Sequence, residues 1–182
     1  MFLINDKILI NVNNFIYIVP LYNKSNIIGN TVELLKSKFN DSNENAKFLF
    51  VENGSTDDSI DVAMKTFGSV DVLVNCAGVV RSGTAPETSK IDLDSVIDTN
   101  LKGTFSCVRA VIPFMKRGST IINVASEQGL VGEHAMAAYC ASKGGVIQLS
   151  RALAVDHAED GIRVNCVCPG PVMTPMLEHC LR

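Results

Sequence analysis

The chain has 182 residues and a mass of 19.6 kDa, enough for one ordinary domain and too little for two large ones. Hydrophobic residues make up 47% and charged residues 19%, with a mean hydropathy of +0.21, which excludes wholesale disorder. The net charge of −3 and a pI near 5.6, without a cluster of lysine or arginine, give no electrostatic basis for binding nucleic acid or an anionic membrane.

The N-terminal stretch MFLINDKILINVNNFIYIV is apolar but is interrupted by Asn5, Asp6 and Lys7. No apolar run approaches the roughly 18 residues of a transmembrane helix. The basic start of a signal peptide is missing as well. We therefore expect a leader over residues 1–14 built of short strand-like runs, no membrane contact, and a cytoplasmic protein.

The cysteines are not arranged as metal ligands, because none lies in a C-x-x-C pair and the three histidines are far apart. Cys166 and Cys168 are two residues apart in an apolar run, so both would face one side of a strand. The pattern favours reduced core thiols over disulfides and predicts no metal site. The six cysteines are Cys76, Cys107, Cys140, Cys166, Cys168 and Cys180.

Short apolar runs alternate with segments of helical periodicity, which predicts five βα units in one domain over residues 1–182. The strands are expected at residues 15–19, 46–51, 70–74, 120–125 and 162–168, and the helices at 26–39, from Ser55 or Thr56, at about 92–116 and at about 137–158. This order indicates an α/β fold with a doubly wound, Rossmann-like parallel sheet of about five strands. The functional loops would then begin at the carboxyl ends of the strands, at Pro20, Glu52, Asn75, Ser126 and Pro169.

The segment Tyr139-Cys-Ala-Ser-Lys143 carries the sharpest chemical signal. Residues four apart share one face of a helix, and an ammonium near a phenol lowers the pKa of the tyrosine. Tyr139 is therefore a candidate general acid/base. Ser126 ends the preceding strand at the same edge, and Asn100 lies on the preceding helix. The alternative is a surface Tyr–Lys pair on an amphipathic helix.

Five segments occur in order around this pair: DVLVNCAG at 71–78, DTNLKG at 98–103, INVAS at 122–126, AAYCASKGG at 137–145 and IRVNCVCPGPVMTPM at 162–176. Together they resemble the short-chain dehydrogenase/reductase family over about residues 67–182. The resemblance implies a doubly wound fold and an oxidoreductase that uses NAD or NADP. Cys76 stands where that family usually has a second asparagine.

The same resemblance implies roles for matching positions. Tyr139 would exchange a proton with the oxygen of a small-molecule alcohol or ketone, and Lys143 would lower its pKa and bind the nicotinamide ribose. Ser126 would orient the carbonyl oxygen, and Asn100 would hold a water relay. The cofactor would also contact Asn75, Ala77, Gly78, Pro169, Gly170, Val172 and Thr174. Family members often form homo-oligomers, so self-association is a further expectation.

The N-terminal third departs from that family, because the expected glycine-rich phosphate turn after the first strand is replaced by a segment from Pro20 to Gly29 with one glycine. IVPLYNKSNIIGNTVELL and FLFVENGSTDDS, over about residues 15–65, resemble the opening of family-two GT-A glycosyltransferases. That resemblance implies a nucleotide against Pro20, Tyr22 and Glu52.

Asparagine content changes at the same place, since 11 of the 15 asparagines lie in residues 1–60. We therefore expect a composite chain, with a βαβα nucleotide-fold unit over residues 15–66 joined near 64–68 to a dehydrogenase-like part over 67–182. The expected strand order is the flavodoxin-like 2-1-3-4-5. Three functions stay open: an NAD(P)-dependent oxidoreductase interconverting a secondary alcohol and a ketone, impaired by the missing loop; a nucleotide-sugar-binding glycosyltransferase remnant; or a catalytically silent α/β domain.

Overall fold

The computed structural model describes residues 69–172 continuously and, before them, the backbone of four strands. These strands are β1 (Phe2–Ile4), β2 (Lys7–Ile10), β3 (Ile16–Leu21) and β4 (Lys47–Glu52). Three more strands lie within the continuous stretch: β5 (Val70–Asn75), β6 (Met115–Val124) and β7 (Arg163–Val167). The helices expected at 26–39 and from Ser55 or Thr56 fall outside the described residues.

The strands form one sheet in the order β1 to β7, so each strand pairs with its neighbours in sequence. The pairings of β1 with β2 and of β2 with β3 are antiparallel. From β3 to β7 every pairing is parallel. The protein is therefore α/β with a parallel sheet, as the alternation of strands and helices in the sequence predicted.

The predicted strand order 2-1-3-4-5 is wrong. In that order the strand at 15–19, now β3, would adjoin β5. Instead β4 pairs with β5, with Leu49 opposite Val72 and Phe50 opposite Leu73. Each parallel connection therefore steps one strand in the same direction across the sheet. The carboxyl end of β4 at Glu52 thus adjoins the carboxyl end of β5, the position that the order 2-1-3-4-5 assigns to the strand at 15–19.

The helix predicted over 92–116 is three helical segments in succession. Helix α1 (Lys90–Ile97) begins after Ser89, whose side chain accepts a hydrogen bond from the Asp92 N–H as an N-cap. A π-helical turn (Asp98–Gly103) follows, and α2 (Thr104–Val111) leads through a short 3-10 turn into β6. The widened turn is unforeseen by the periodicity of the sequence, and it carries Asn100.

Helix α3 (Ala137–Asp156) agrees with the helix predicted at about 137–158. It forms the crossover from β6 to β7, while α1 and α2 form the crossover from β5 to β6. Right-handed crossovers in one direction place both on the same face of the sheet, and α1 and α3 are in contact there. The main core beneath them consists of Val70, Leu73, Val108, Val111, Ile121, Leu153 and Ile162.

In the described part of the chain no helix is long and apolar enough to cross a membrane. The loops of the site follow the carboxyl ends of β5, β6 and β7, which lie together at one edge of the sheet.

Candidate active site

The loops that follow β6 and β7 are bonded to each other at this edge. The Ala125 N–H donates to the Val167 carbonyl at 2.8 Å, and the Glu127 N–H donates to the Pro169 carbonyl at 3.0 Å. These bonds continue the parallel pairing of the two strands past their ends. The segment with Ser126 and the segment with Pro169 are therefore held side by side.

Tyr139 and Lys143 lie one turn apart near the start of α3. The Lys143 Nζ stands 5.8 Å from the centroid of the Tyr139 ring. Tyr139 is 9% exposed and Lys143 is 4% exposed. The alternative of an exposed Tyr–Lys pair on a helix surface is therefore wrong, because both side chains are buried.

The Lys143 ammonium is held by the sheet, since its Nζ donates a 2.9 Å hydrogen bond to the Val124 carbonyl. Burial lowers the pKa of Lys143, and nearby thiols at Cys76, Cys166 and Cys168 oppose that shift. Burial also raises the pKa of the Cys76 thiol, and the charge of Lys143 opposes it. The Lys143 amine thus stands close to the Tyr139 ring, in a buried position that penalises its charged form.

Asn100 is fully buried, and its side-chain amide joins the loop after β5 to α3. Its Oδ1 accepts the Val79 N–H at 2.8 Å, and its Nδ2 donates to the Val79 carbonyl at 2.9 Å and to Ser142 Oγ at 2.9 Å. The Thr104 hydroxyl donates to the Asn100 carbonyl at 2.8 Å. The π-helical turn is thereby fastened to the loop after β5 and to α3.

The backbone of Gly78 lies next to the Asn100 side chain. A Cβ at this position would stand 3.2 Å from Asn100 Oδ1 and 3.2 Å from Lys143 Nζ. Such contacts are tighter than a side chain normally makes, so the backbone passes close to both groups only because residue 78 is glycine. The structure therefore brings Gly78, Asn100, Tyr139 and Lys143 together.

Ser126 is buried and begins the 3-10 turn Glu127–Gly129, where its Oγ accepts the Gln128 N–H at 3.2 Å. The turn then packs on α3. A Cβ on Gly129 would stand 2.7 Å from the carbonyl carbon of Lys143 and 2.9 Å from the Gly144 nitrogen. The turn that carries Ser126 is thus fixed against the backbone of the residue that carries the ammonium.

The remaining predicted residues fall into three places. Ala77 is half-buried in the loop after β5, and Pro169, Gly170 and Val172 follow β7, where Gly170 lies against the Glu127 carboxylate. Asn75 is the last residue of β5, where its Nδ2 donates to Asn123 Oδ1 at 2.8 Å within the sheet. Thr174 lies outside the described residues.

Sequence reasoning missed several groups that shape the site: the Val124 carbonyl, the Thr104 hydroxyl and Ser142. Ser142 Oγ accepts from Asn100 Nδ2 and donates to the Tyr139 carbonyl at 2.8 Å. The signal for Ser142 was its place between Tyr139 and Lys143 in the same segment. Nothing local in the sequence distinguishes the other two groups.

A sequence profile of the family described as short chain dehydrogenase matches residues 21–181. An uncharacterized oxidoreductase from Thermotoga maritima is 41% identical over 143 residues, which cover 77% of this chain and 55% of that protein. The 2-(R)-hydroxypropyl-CoM dehydrogenase from Xanthobacter autotrophicus is 40% identical over 132 residues, or 70% of this chain and 53% of that protein. The chain thus spans little more than half the length of these curated relatives.

Solved structures agree with these matches. A short-chain dehydrogenase/reductase from Brucella melitensis, titled a glucose/ribitol dehydrogenase, superposes with a TM-score of 0.71 at 28% identity, covering 91% of this chain and 66% of that one. The aldohexose dehydrogenase of Thermoplasma acidophilum has a TM-score of 0.69 at 29% identity, covering 90% and 69%. The fold is therefore Rossmann-like.

The family match extends from residue 21 through the junction expected near 64–68 to residue 181. One family therefore accounts for sequence on both sides of that junction, and nothing in these comparisons supports a glycosyltransferase part or a composite chain. Because the match covers most of the sequence, the chain belongs to the short-chain dehydrogenase/reductase family.

Proposed function

We propose that this protein is an NAD(P)-dependent oxidoreductase that interconverts a secondary alcohol and a ketone, with Tyr139 as the general acid/base. The observation that carries the proposal is the buried pair on α3, where the Lys143 Nζ lies 5.8 Å from the Tyr139 ring. A cation close to a phenol in weakly polar surroundings favours the phenolate and brings its pKa toward neutrality.

The described residues fit the nicotinamide-ribose part of such a cofactor. A lysine ammonium has three N–H donors, and Lys143 uses one of them on the Val124 carbonyl. The glycine at position 78 keeps the space beside that ammonium clear of a side chain. NAD and NADP both suit this part of the site. The segments after Leu21 and after Glu52, among which the pyrophosphate would be bound, lie outside the described residues.

When bound, NAD(P) supplies or accepts the hydride at the substrate carbon. The chain's own residues would manage the oxygen. Ser126 would hold the carbonyl oxygen, and Tyr139 would donate a proton to it in reduction and remove one in oxidation. Lys143 would stabilise the phenolate, and Asn100 would retain the water that resupplies the proton.

Other residues are proposed as walls of the cofactor cleft. Asn75, Ala77 and Gly78 would line its adenine side, and Pro169, Gly170, Val172 and Thr174 would lie along the nicotinamide. The bonds between the loops after β6 and β7 support the second group, because they hold Pro169 beside the segment with Ser126.

The names of relatives support the class of reaction. Among them are a 2-(R)-hydroxypropyl-CoM dehydrogenase and a 3-oxoacyl-(acyl-carrier-protein) reductase, the latter from Staphylococcus aureus and 39% identical over 153 residues, covering 81% of this chain and 60% of that protein. Both names refer to a hydroxyl or oxo group on a carbon chain. We propose a small-molecule substrate of that kind. We also propose that the protein is cytoplasmic, where its thiols would stay reduced, and that it self-associates through the helical crossovers.

The test is a cofactor titration followed by turnover. The full chain is titrated with NADH and NADPH by nicotinamide fluorescence, and then assayed with ethyl acetoacetate, an acetoacetyl thioester and an aldohexose. We expect binding of one cofactor and a turnover that falls about 100-fold or more in Tyr139→Phe with binding retained. Tyr17→Phe is the control for loss of a phenol elsewhere. Failure of both cofactors to bind at millimolar concentration would overturn the proposal in favour of a silent domain.

A further inference from the structure

Glu127 places a carboxylate beside the residue that is proposed to hold the carbonyl oxygen. It follows Ser126 directly and is the first residue of the 3-10 turn Glu127–Gly129. Its N–H donates to the Pro169 carbonyl at 3.0 Å, and its own carbonyl accepts the Leu130 N–H at 2.8 Å. The backbone of Glu127 is therefore held both within its own turn and by the loop after β7.

The side chain of Glu127 lies against Gly170. A Cβ at position 170 would stand 3.2 Å from Oε2 of Glu127 and 3.6 Å from its Cδ, so the carboxylate takes up room that a larger residue at 170 would need. Gly170 is one of the residues proposed to lie along the nicotinamide. The carboxylate thus adjoins both Ser126, which would hold the reacting oxygen, and a proposed wall of the cofactor cleft.

The charge of Glu127 is open to solvent. The residue is exposed, and within residues 69–172 no lysine, arginine or histidine forms an ion pair with it. The amine of the site is placed differently, since Lys143 is 4% exposed and its Nζ bonds to the Val124 carbonyl. A molecule that enters from solvent therefore meets the negative charge of Glu127, while the amine is buried.

The chemistry of a carboxylate determines what can lie next to it. An ionised glutamate only accepts hydrogen bonds, so it binds groups that donate, such as hydroxyls. It repels a carboxylate or phosphate at a distance of a few ångströms, and such repulsion is a source of specificity. Leu130 and Val131, two exposed side chains on the same loop, have no polar group that could replace it.

We propose that Glu127 is a specificity-determining residue: its carboxylate selects substrates that carry a hydroxyl next to the reacting carbonyl, such as hydroxy ketones and polyols, and rejects substrates that carry an anionic group there. The inference rests on the oxidoreductase activity proposed above. It adds the chemical class of the substrate and the residue that selects it.

Three methyl ketones of similar size test this selection. Next to the carbonyl, hydroxyacetone has a hydroxymethyl group, butanone has an ethyl group and pyruvate has a carboxylate. The full chain is supplied with the nicotinamide cofactor that it binds, and kcat/KM for reduction is measured with each ketone. We expect hydroxyacetone to be the best substrate and pyruvate the poorest.

Glu127→Gln keeps the length of the side chain and removes its charge. It should lower the ratio of kcat/KM for hydroxyacetone to kcat/KM for pyruvate about tenfold or more. Glu127→Lys, which reverses the charge, should lower the ratio further. A residue with only a structural role would reduce all three values together and leave their ratios unchanged.

Glu133→Gln is the matched control. Glu133 is an exposed glutamate on the same loop, where its Oε1 accepts the His134 N–H at 3.2 Å. Both glutamine variants change the net charge of the protein equally, so any general effect of charge on an anionic substrate appears in both. The ratio in Glu133→Gln should stay within about twofold of its value in the unaltered protein.

An unmoved ratio in Glu127→Gln, equal shifts in the two glutamine variants, or a preference of the unaltered protein for pyruvate would overturn the inference and leave the oxidoreductase activity standing. If turnover of the ketones is too slow to measure, their Kd values for the complex of the protein with reduced cofactor are obtained from quenching of nicotinamide fluorescence, and the same ratio decides. A chain that binds neither NADH nor NADPH would refute the proposed function, and this inference with it.

Discussion

The Lys143 Nζ donates a 2.9 Å hydrogen bond to the carbonyl oxygen of Val124, the last residue of β6. Through this bond a helix side chain is anchored to the end of an interior strand, and its amine is held where the loops of the site converge. Lysine is seldom buried to this extent without a carboxylate partner, and among the described residues none pairs with Lys143. Burying Lys143 therefore lowers the free energy of unfolding of the protein, and it places a charge next to Tyr139.

Lys143→Met should stabilise the fold. Burial lowers the pKa of Lys143 in the folded protein below the ordinary 10.5, so the unfolded chain holds more protons between the two values. The free-energy cost of burying the charged amine is therefore fully present below the pKa that Lys143 has in the folded protein. It disappears above 10.5, the ordinary pKa of lysine. We expect the free energy of unfolding to rise by about 0.5–2 kcal/mol near neutral pH.

Urea unfolding of both proteins as a function of pH measures this difference, and the gain should shrink as the pH rises. Lys102→Met is the matched control, because Lys102 is an exposed lysine paired with Asp98 and its replacement removes no buried charge. A gain that does not change with pH, or a loss at all pH values, would contradict the prediction.

Gly129→Ala should loosen the turn that carries Ser126. The added methyl would lie 2.7 Å from the Lys143 carbonyl carbon and 2.9 Å from the Gly144 nitrogen, which are backbone atoms of a helix and cannot move alone. We expect a loss of about 1–3 kcal/mol in the free energy of unfolding, measured by urea denaturation. Gly132→Ala places its methyl in open space and should be close to neutral. Similar losses in the two variants would show that the close approach at Gly129 is not the cause.

The sequence predicted the Tyr–Lys pair because helical periodicity is a local property. Four residues of spacing place Tyr139 and Lys143 on one face whatever surrounds them. Strand order is a different matter, since the apolar runs at 15–19 and 46–51 are equally good strands. Which of them adjoins β5 depends on pairing across the sheet, and no spacing within either run specifies it.

The π-helical turn and the bond between Ser142 and Asn100 were also beyond local reasoning. The turn at Asn100 is widened in a place where Thr104 bonds back to its carbonyl and Val79 bonds to its side chain, and Val79 is 21 residues away in sequence. Likewise the bond from the Asn75 amide nitrogen goes to Asn123, which is 48 residues away in sequence. The π-helical turn, Ser142 and Asn75 each depend on a hydrogen-bond partner that is distant in the chain, so no local pattern predicts them.

Asn123→Leu should destabilise the fold without altering the acid/base site. Asn123 is fully buried, accepts from Asn75 Nδ2 at 2.8 Å and donates to Ser150 Oγ at 2.9 Å. Its replacement leaves two buried polar groups short of a partner, which costs about 2–4 kcal/mol in urea unfolding. The exposed Asn165 on the next strand provides the control, since Asn165→Leu breaks no buried bond. Equal effects on stability would contradict the assignment.

Gly78→Ala should impair cofactor binding while leaving the fold intact. Its methyl would lie 3.2 Å from both Asn100 Oδ1 and Lys143 Nζ, so it would occupy the space beside Lys143 that the proposed cofactor would enter. We expect the affinity for NADH or NADPH, measured by fluorescence titration, to fall about tenfold or more. The free energy of unfolding should change by less than about 1.5 kcal/mol.

Gly83→Ala is a matched control for crowding, because its methyl would be equally close to a side-chain oxygen, 3.1 Å from Thr88 Oγ1, on the loop that leads to α1. The two variants should therefore lose similar stability and differ in cofactor affinity alone. If Gly83→Ala weakens binding as much as Gly78→Ala does, strain in the loop after β5 explains the loss. The space above Lys143 would then have no special part in holding the nicotinamide ribose.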